Sequence, residues 1–265
     1  MFRSRLIPSL LIQDGGLVKT LKFSKPKYLG DPINAVRIFN EKKVDELMIF
    51  DIDASVKNKD PNYNLIKDLA SECRMPLCYG GGITSAVQVE KVISLGVEKV
   101  AISSAAIQTP EILIDVAGSV GTQSVVLVLD VKKKMIGSGY NVFTLNGKRK
   151  HTFDLGDLID NLPFQHIGEL VINSIDQDGQ MSGYDLYLAN YVAQKINIPM
   201  TMLGGAGSTE NIREVLSIKG VTGACCGSLF VFKGSYRAVL INYPNIEEKK
   251  YLTTNTNIAT NINFS

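Results

Sequence analysis

Histidine is scarce in this chain: His151 and His166 are the only two among 265 residues, and neither lies beside a plausible nucleophile. That argues against a Ser–His or Cys–His couple as the organising chemistry. The four cysteines, Cys73, Cys78, Cys225 and Cys226, form no Cys-x-x-Cys pair and have no histidine partner, so no metal site is expected. They read as reduced thiols of a cytoplasmic protein. Cys225 and Cys226 are adjacent, so they cannot share one face of a strand. No run reaches the about 18 apolar residues of a membrane span. The apolar stretch Leu6 to Ile12 is too short for a secretory signal and runs into Gln13-Asp14-Gly15. A formal charge of +2 lacks the basic excess of a dedicated nucleic-acid binder. Neither nucleic acid nor membrane is expected as a partner.

What remains is a large apolar complement, 45% of the residues, arranged in short β-rich runs alternating with helical stretches. The strand candidates are 6–11, 46–52, 76–79, 99–103, 124–130, 169–173, 199–203 and 223–227, with helical patterns over 32–42, 63–71, 85–95 and 209–217. Eight βα units in this order predict an α/β fold, a closed (β/α)8 TIM barrel. The barrel is expected over 1–241, followed by a Thr- and Asn-rich tail, 242–265, expected to be partly disordered.

The chain also repeats itself. Tyr79-Gly80-Gly81-Gly82-Ile83 is answered at offset 124 by Leu203-Gly204-Gly205-Ala206-Gly207, and Ile102-Ser103-Ser104-Ala105 at the same offset by Cys226-Gly227-Ser228-Leu229. Asp51-Ile52-Asp53 is answered by Ser174-Ile175-Asp176 at offset 123. Two similar half-barrels follow, about 1–122 and 123–241. Glycine after a strand lets backbone approach a ligand closely, and a following helix N-terminus aims N–H groups at it. A lone glycine cluster is as readily a tight turn. Two matched clusters, each beside a hydroxyl-bearing strand end, point to two phosphate cradles, one at Gly82, Ser103 and Ser104, the other at Gly179, Gly205, Gly227 and Ser228.

With Gln13-Asp14-Gly15, Val18-Lys19, Asp51-Ile52-Asp53-Ala54-Ser55, Ser174-Ile175-Asp176-Gln177-Asp178-Gly179 and Ser182-Gly183-Tyr184-Asp185, the chain resembles the cyclase subunit of imidazole glycerol phosphate synthase over roughly residues 3–236. The Ser-Gly-Tyr-Asp ending favours that family over its sister isomerase. The resemblance implies a partner glutaminase docked on the barrel bottom, near Glu98. Its ammonia would cross the barrel to a bis-phosphorylated substrate at the top, with no cofactor. It also implies substrate contacts from Lys19, Asp51, Asp176 and Asp178, and an ammonia gate of Arg5, Glu46, Lys99 and Glu169. Those four charges stand at strand starts and could equally be a charged plug.

The family places one aspartate on the first strand and one on the fifth as general acid and base. Asp130 matches the second, whereas Leu11 stands where the first belongs. Leucine transfers no proton, and a positioned acid or base contributes about 10²–10⁴ in rate. Ser103-Ser104 also replaces the family's Asn-Thr. Three readings follow: a paralogue that passes ammonia to another acceptor, an ordinary histidine-pathway subunit working through Asp130, or a scaffold that activates its glutaminase. The first resembles divergent copies that serve amidino-sugar synthesis for surface polysaccharide, with a third, amidotransferase-like protein.

Overall fold

The computed structural model describes residues 4–234 and 236–254. Eight parallel strands form the barrel: β1 (Arg5–Gln13), β2 (Leu47–Asp51), β3 (Leu77–Gly80), β4 (Lys99–Ile102), β5 (Val125–Lys133), β6 (Glu169–Ser174), β7 (Met200–Leu203) and β8 (Val221–Cys226). Each pairs with its neighbours in chain order, and β8 pairs with β1, which closes the sheet. All eight expected strands are present, with ends displaced by at most three residues.

Period-two alternation sorts the apolar residues into two cores. Ile7, Met48, Cys78, Ala101, Val126, Val171, Leu203 and Cys225 face inward and pack with Phe50. Leu6, Leu10, Leu47, Ile49, Leu127, Leu170 and Cys226 face outward against the helices. The adjacent cysteines therefore fall on opposite faces, and all four cysteines are free. Local signals set the helix starts. Asp31 accepts the amide of Asn34 with Pro32 in the first turn, and Ser85 and Gln88 form a reciprocal capping box.

Besides the short antiparallel pair of Phe232–Lys233 with Ala238–Val239, two longer hairpins among the described residues lie outside the eight-unit pattern. Gly16–Leu21 pairs antiparallel with both β1 and Ser24–Gly30, and Tyr140–Thr144 pairs antiparallel with both β5 and Arg149–Asp154. Each follows the first strand of its half, so the internal repeat extends to them. The sequence hides the first because its two-residue turn is Lys22-Phe23, both at positive φ, where Asn-Gly is the usual signal. The backbone repeats as well. Ser103 (φ −129, ψ −86) and Gly227 (φ −93, ψ −79) occupy the same position in the two halves.

The described part of the expected tail is structured. Ile246–Thr254 is helical, Leu252 is buried, and Lys249 reaches Asp45 at 2.8 Å. Tyr243 Oη donates to Leu6 O at 2.9 Å, which ties this segment to the start of β1. Tyr243 and Leu252 are isolated apolar residues in a polar stretch, too few to show a periodicity. Residues 255–265, the rest of that expected tail, lie outside the described residues.

At the end of the barrel where the strands begin, the β7–β8 register shifts so that Thr201 pairs with Gly223. A Cβ on Gly223 would collide with Thr201 Oγ1, which donates to Glu169 at 2.6 Å. Gly223→Ala is expected to lower unfolding stability by about 1–3 kcal/mol, through overpacking, in urea denaturation.

Candidate active site

At the carboxyl ends of the strands a cleft of about 1140 Å³, counting its open mouth, is lined by loops from both halves. This is the face where barrels of this kind carry their chemistry. Gly81 (φ +131) and Gly205 (φ +110) bring backbone to its two sides. A Cβ would stand 2.5 Å from Asp51 O at Gly81 and would collide with Gly183 O at Gly205. Only glycine fits either place. Gly82, Ser103 and Ser104 line one end, and Gly179, Gly205, Gly227 and Ser228 the other. The sequence pattern thus brings both cradles to one cavity. The helices after Ser103 and Gly227 have only five and four residues, so the donors they offer are turn N–H groups with little macrodipole behind them. Ser104 Oγ accepts the Leu145 amide at 3.1 Å, while Ser103 Oγ is buried without a partner.

Lys19 reaches the second cradle from the hairpin after β1. Its Nζ donates to Ser9 O at 2.6 Å and packs against Gly227, where a Cβ would collide with it. The residue is 6% exposed, and among the described residues Nζ forms no ion pair. Burial lowers its pKa to about 8, against the opposing pull of Asp178. A buried ammonium that forms no ion pair and feels the Asp178 charge only through space still favours an anion at its side.

Asp130 sits on the cleft floor, with Oδ1 accepting from Asn173 Nδ2 at 2.9 Å. Burial pushes its pKa up to about 7; the Asn173 hydrogen bond opposes the rise and the Asp178 charge adds to it. Leu11, on β1, lines the same cleft. Its strand neighbour Phe50 lines the cleft beside it, and Phe23, Ile52, Ile83 and Met181 add further apolar lining among the polar residues.

The other expected contacts divide. Asp51 lines the cleft and accepts the amides of Asp53 and Ala54 at 3.1 Å each; burial raises its pKa. Asp178 lines the cleft and anchors the β1 hairpin through Thr20 Oγ1 at 2.8 Å and the Phe23 amide at 3.1 Å. Asp176, another of the expected contacts, is oriented differently. It is absent from the cleft wall and accepts the Lys133 amide at 2.9 Å, because the loop after β6 turns it toward the end of β5. Asn173 escaped the sequence reading. Stepping by two from the inward-facing Glu169 reaches Val171 and then Asn173, so the strand period was the available signal.

At the opposite end, Arg5, Glu46, Lys99 and Glu169 meet. Arg5 bonds Glu46 at 2.5 Å and Glu169 at 2.7 Å, and Lys99 bonds the same two carboxylates at 2.9 and 3.0 Å. Burial opposes every charge here, yet the alternating signs prevail: the pKa values of Arg5 and Lys99 are raised and that of Glu169 is lowered. Glu98 lies exposed beside the ring, with Oε2 accepting the Leu77 amide at 2.7 Å.

The raised pKa of Asp130 has a stability consequence. An unfolded aspartate loses its proton near pH 4, whereas the folded one holds it to about pH 7. Between those values the native state binds more protons, so stability contributed by neutral Asp130 is lost as pH rises. Asp130→Asn removes that loss. Its stability relative to wild type is expected to climb from pH 4 to pH 7 by about 2–4 kcal/mol and then level off, read from urea midpoints across pH.

Comparison with known proteins matches residues 5–237 to the family described as histidine biosynthesis protein. A Vibrio vulnificus protein provisionally named imidazole glycerol phosphate synthase subunit hisF3 is 50% identical over 250 residues, 94% of this chain and 96% of that one. A Leptospira interrogans protein provisionally named imidazole glycerol phosphate synthase subunit HisF is 49% identical over 252 residues, 95% and 99% of the two chains. The Streptococcus sanguinis imidazole glycerol phosphate synthase subunit HisF is 34% identical over 230 residues, 87% and 91%. Among the described residues no helix is long and apolar enough to cross a membrane. With its closed eight-stranded barrel, this chain belongs to the histidine biosynthesis protein family, as a cyclase-type subunit of the imidazole glycerol phosphate synthase kind.

Proposed function

We infer that this barrel binds a phosphorylated ligand across its cleft and receives ammonia from a glutaminase subunit docked beneath the Arg5–Glu46–Lys99–Glu169 ring. In this reading it is a paralogue that forms little imidazole product. The nitrogen passes to another acceptor, in amidino-sugar synthesis for surface polysaccharide, with a third, amidotransferase-like protein. The observation that carries the phosphate ligand is Lys19. Its buried ammonium forms no ion pair among the described residues, feels Asp178 only through space, and lies against Gly227, in one of two glycine clusters that open on one cavity.

The ammonia route is supported by what lies between the ring and the cleft. Ile7, Met48, Cys78, Ala101, Val126 and Val171 are apolar, which favours neutral ammonia over its charged form. The altered outcome is supported by Leu11, since Asp130 faces a cavity wall with no second acid where the family carries one. One observation favours the ordinary histidine-pathway role. An acid with a pKa of about 7 can both give and take a proton near neutrality, so Asp130 alone could serve both steps.

Side-by-side assays decide. With a glutaminase subunit added, glutamine-dependent ammonia release is expected. With ammonium salt and the bis-phosphorylated ribulosyl substrate, wild type is expected to give little product, and Leu11→Asp to raise turnover at least about tenfold. Robust turnover by wild type, abolished by Asp130→Asn, would establish the ordinary role instead. Binding carries its own pH signature. Lys19 must be charged to meet a phosphate, and its pKa is about 8. Calorimetric affinity for glycerol 3-phosphate is expected to fall by up to tenfold per pH unit above pH 8. In Lys19→Met that dependence is expected to vanish along with most of the binding; an unchanged affinity in this variant would remove the phosphate ligand from the reading.

A further inference from the structure

Asn173 is 8% exposed, and its Cα is paired with that of Asp130 across the β5–β6 register. Its amide nitrogen donates to Asp130 Oδ1 at 2.9 Å, whereas its own Oδ1 is buried with no hydrogen-bond partner. That oxygen lies beside Gly204, where a Cβ would stand 3.3 Å from it. An orphaned acceptor is costly to keep in a barrel interior, and an apolar side chain would spare the cost. The amide therefore needs a compensating role, and Asp130 is its one hydrogen-bond partner among the described residues.

The cleft makes that role specific. Leu11 removes the second acid of the strand pair; of the carboxyls lining the cleft, Asp51 accepts two backbone amides and Asp178 anchors the first hairpin, which leaves Asp130 as the one free to exchange a proton. A lone carboxyl exchanges protons usefully only if one oxygen stays aimed at the ligand. With Oδ1 held by the amide, Oδ2 is left as the exchanging oxygen. We propose that Asn173 is a positioning residue that clamps Asp130 Oδ1, so that Oδ2 alone passes a proton to or from the ligand. The inference rests on the reading of this cleft as a ligand site. It names a different residue and is tested by a different readout.

Few groups compete for control of this carboxyl. On the elements packed around it stand Asp178, after β6, Asp51, at the end of β2, and Lys19, on the first hairpin, all lining the same cleft. Ser103 and Phe143, on the flanking β4 side and the second hairpin, carry no charge. Burial and Asp178 raise the Asp130 pKa and the Asn173 bond lowers it, so removing the amide is expected to move the titration upward.

The experiment is a carbon-13 NMR titration of the Asp130 carboxyl in the full chain, assigned by its loss in Asp130→Asn. In Asn173→Leu the midpoint is expected to rise by about one pH unit. In Asn173→Thr, which retains a hydroxyl donor, it is expected to lie between wild type and the leucine variant. Far-UV circular dichroism confirms folding, and if the leucine variant fails to fold, Asn173→Ala takes its place. Glycerol 3-phosphate affinity is measured on the same samples and is expected to change less than about twofold, because the phosphate cradles are untouched. An unchanged midpoint in a folded variant would overturn the clamp. A shifted midpoint without any phosphate binding by wild type would support the clamp and sink the ligand reading.

Discussion

Closure of eight parallel strands is the constraint from which the rest of this molecule follows. A closed sheet has no edge, so every second side chain points into a narrow interior and the alternate ones meet the helices. Position parity along a strand then decides what a residue can do. Arg5, Ile7, Ser9 and Leu11 share one parity on β1, as do Glu169, Val171 and Asn173 on β6. Read from the strand starts upward, these residues run from charge through apolar filling to the cleft floor. One rule thus builds the ion ring, the apolar interior and the acid of the cleft in successive layers.

The two ends of that interior carry charge in opposite ways. Below, two cations and two anions are mutually satisfied, and the gain in pairing offsets the penalty of taking four charges out of water. Above, Lys19 is a buried cation with no ion pair among the described residues, and Asp130 is a carboxyl driven toward its neutral form. The lower end is electrostatically complete and the upper end is not. An incomplete end that opens on a cleft is where a charged ligand would restore balance.

Duplication explains why the cleft has two ends. Each half supplies a glycine turn after its third strand and a hydroxyl at the turn after its fourth, and closure brings both sets around one cavity. The halves have diverged on the cleft floor, since Leu11 and Asp130 occupy corresponding strands with different chemistry. Asn173 belongs to the second half only, opposite Phe50 of the first, so the polar apparatus on the floor is concentrated around Asp130.

Much of this was legible in the chain itself. The alternation of apolar runs and helical stretches determined eight strands and their order, because short-range patterning reflects which face is buried. The 124-residue offset located the two glycine and hydroxyl clusters that line one cavity, and the four charges at strand starts located the ring. Other features were decided only by tertiary structure. The first hairpin turns through Lys22 and Phe23, which enter positive φ without a glycine signal, whereas the second carries Asn146-Gly147, the usual signal. The helix at 246–254 forms because Tyr243, Lys249 and Leu252 find partners elsewhere in the chain. Asp176 leaves the cleft and Asn173 enters it through loop direction and strand register. Above all, the titration of Asp130 and the isolation of Lys19 depend on what is absent around them. Sequence can name a carboxyl or an ammonium, whereas only packing determines how much water and which counter-charge each is denied.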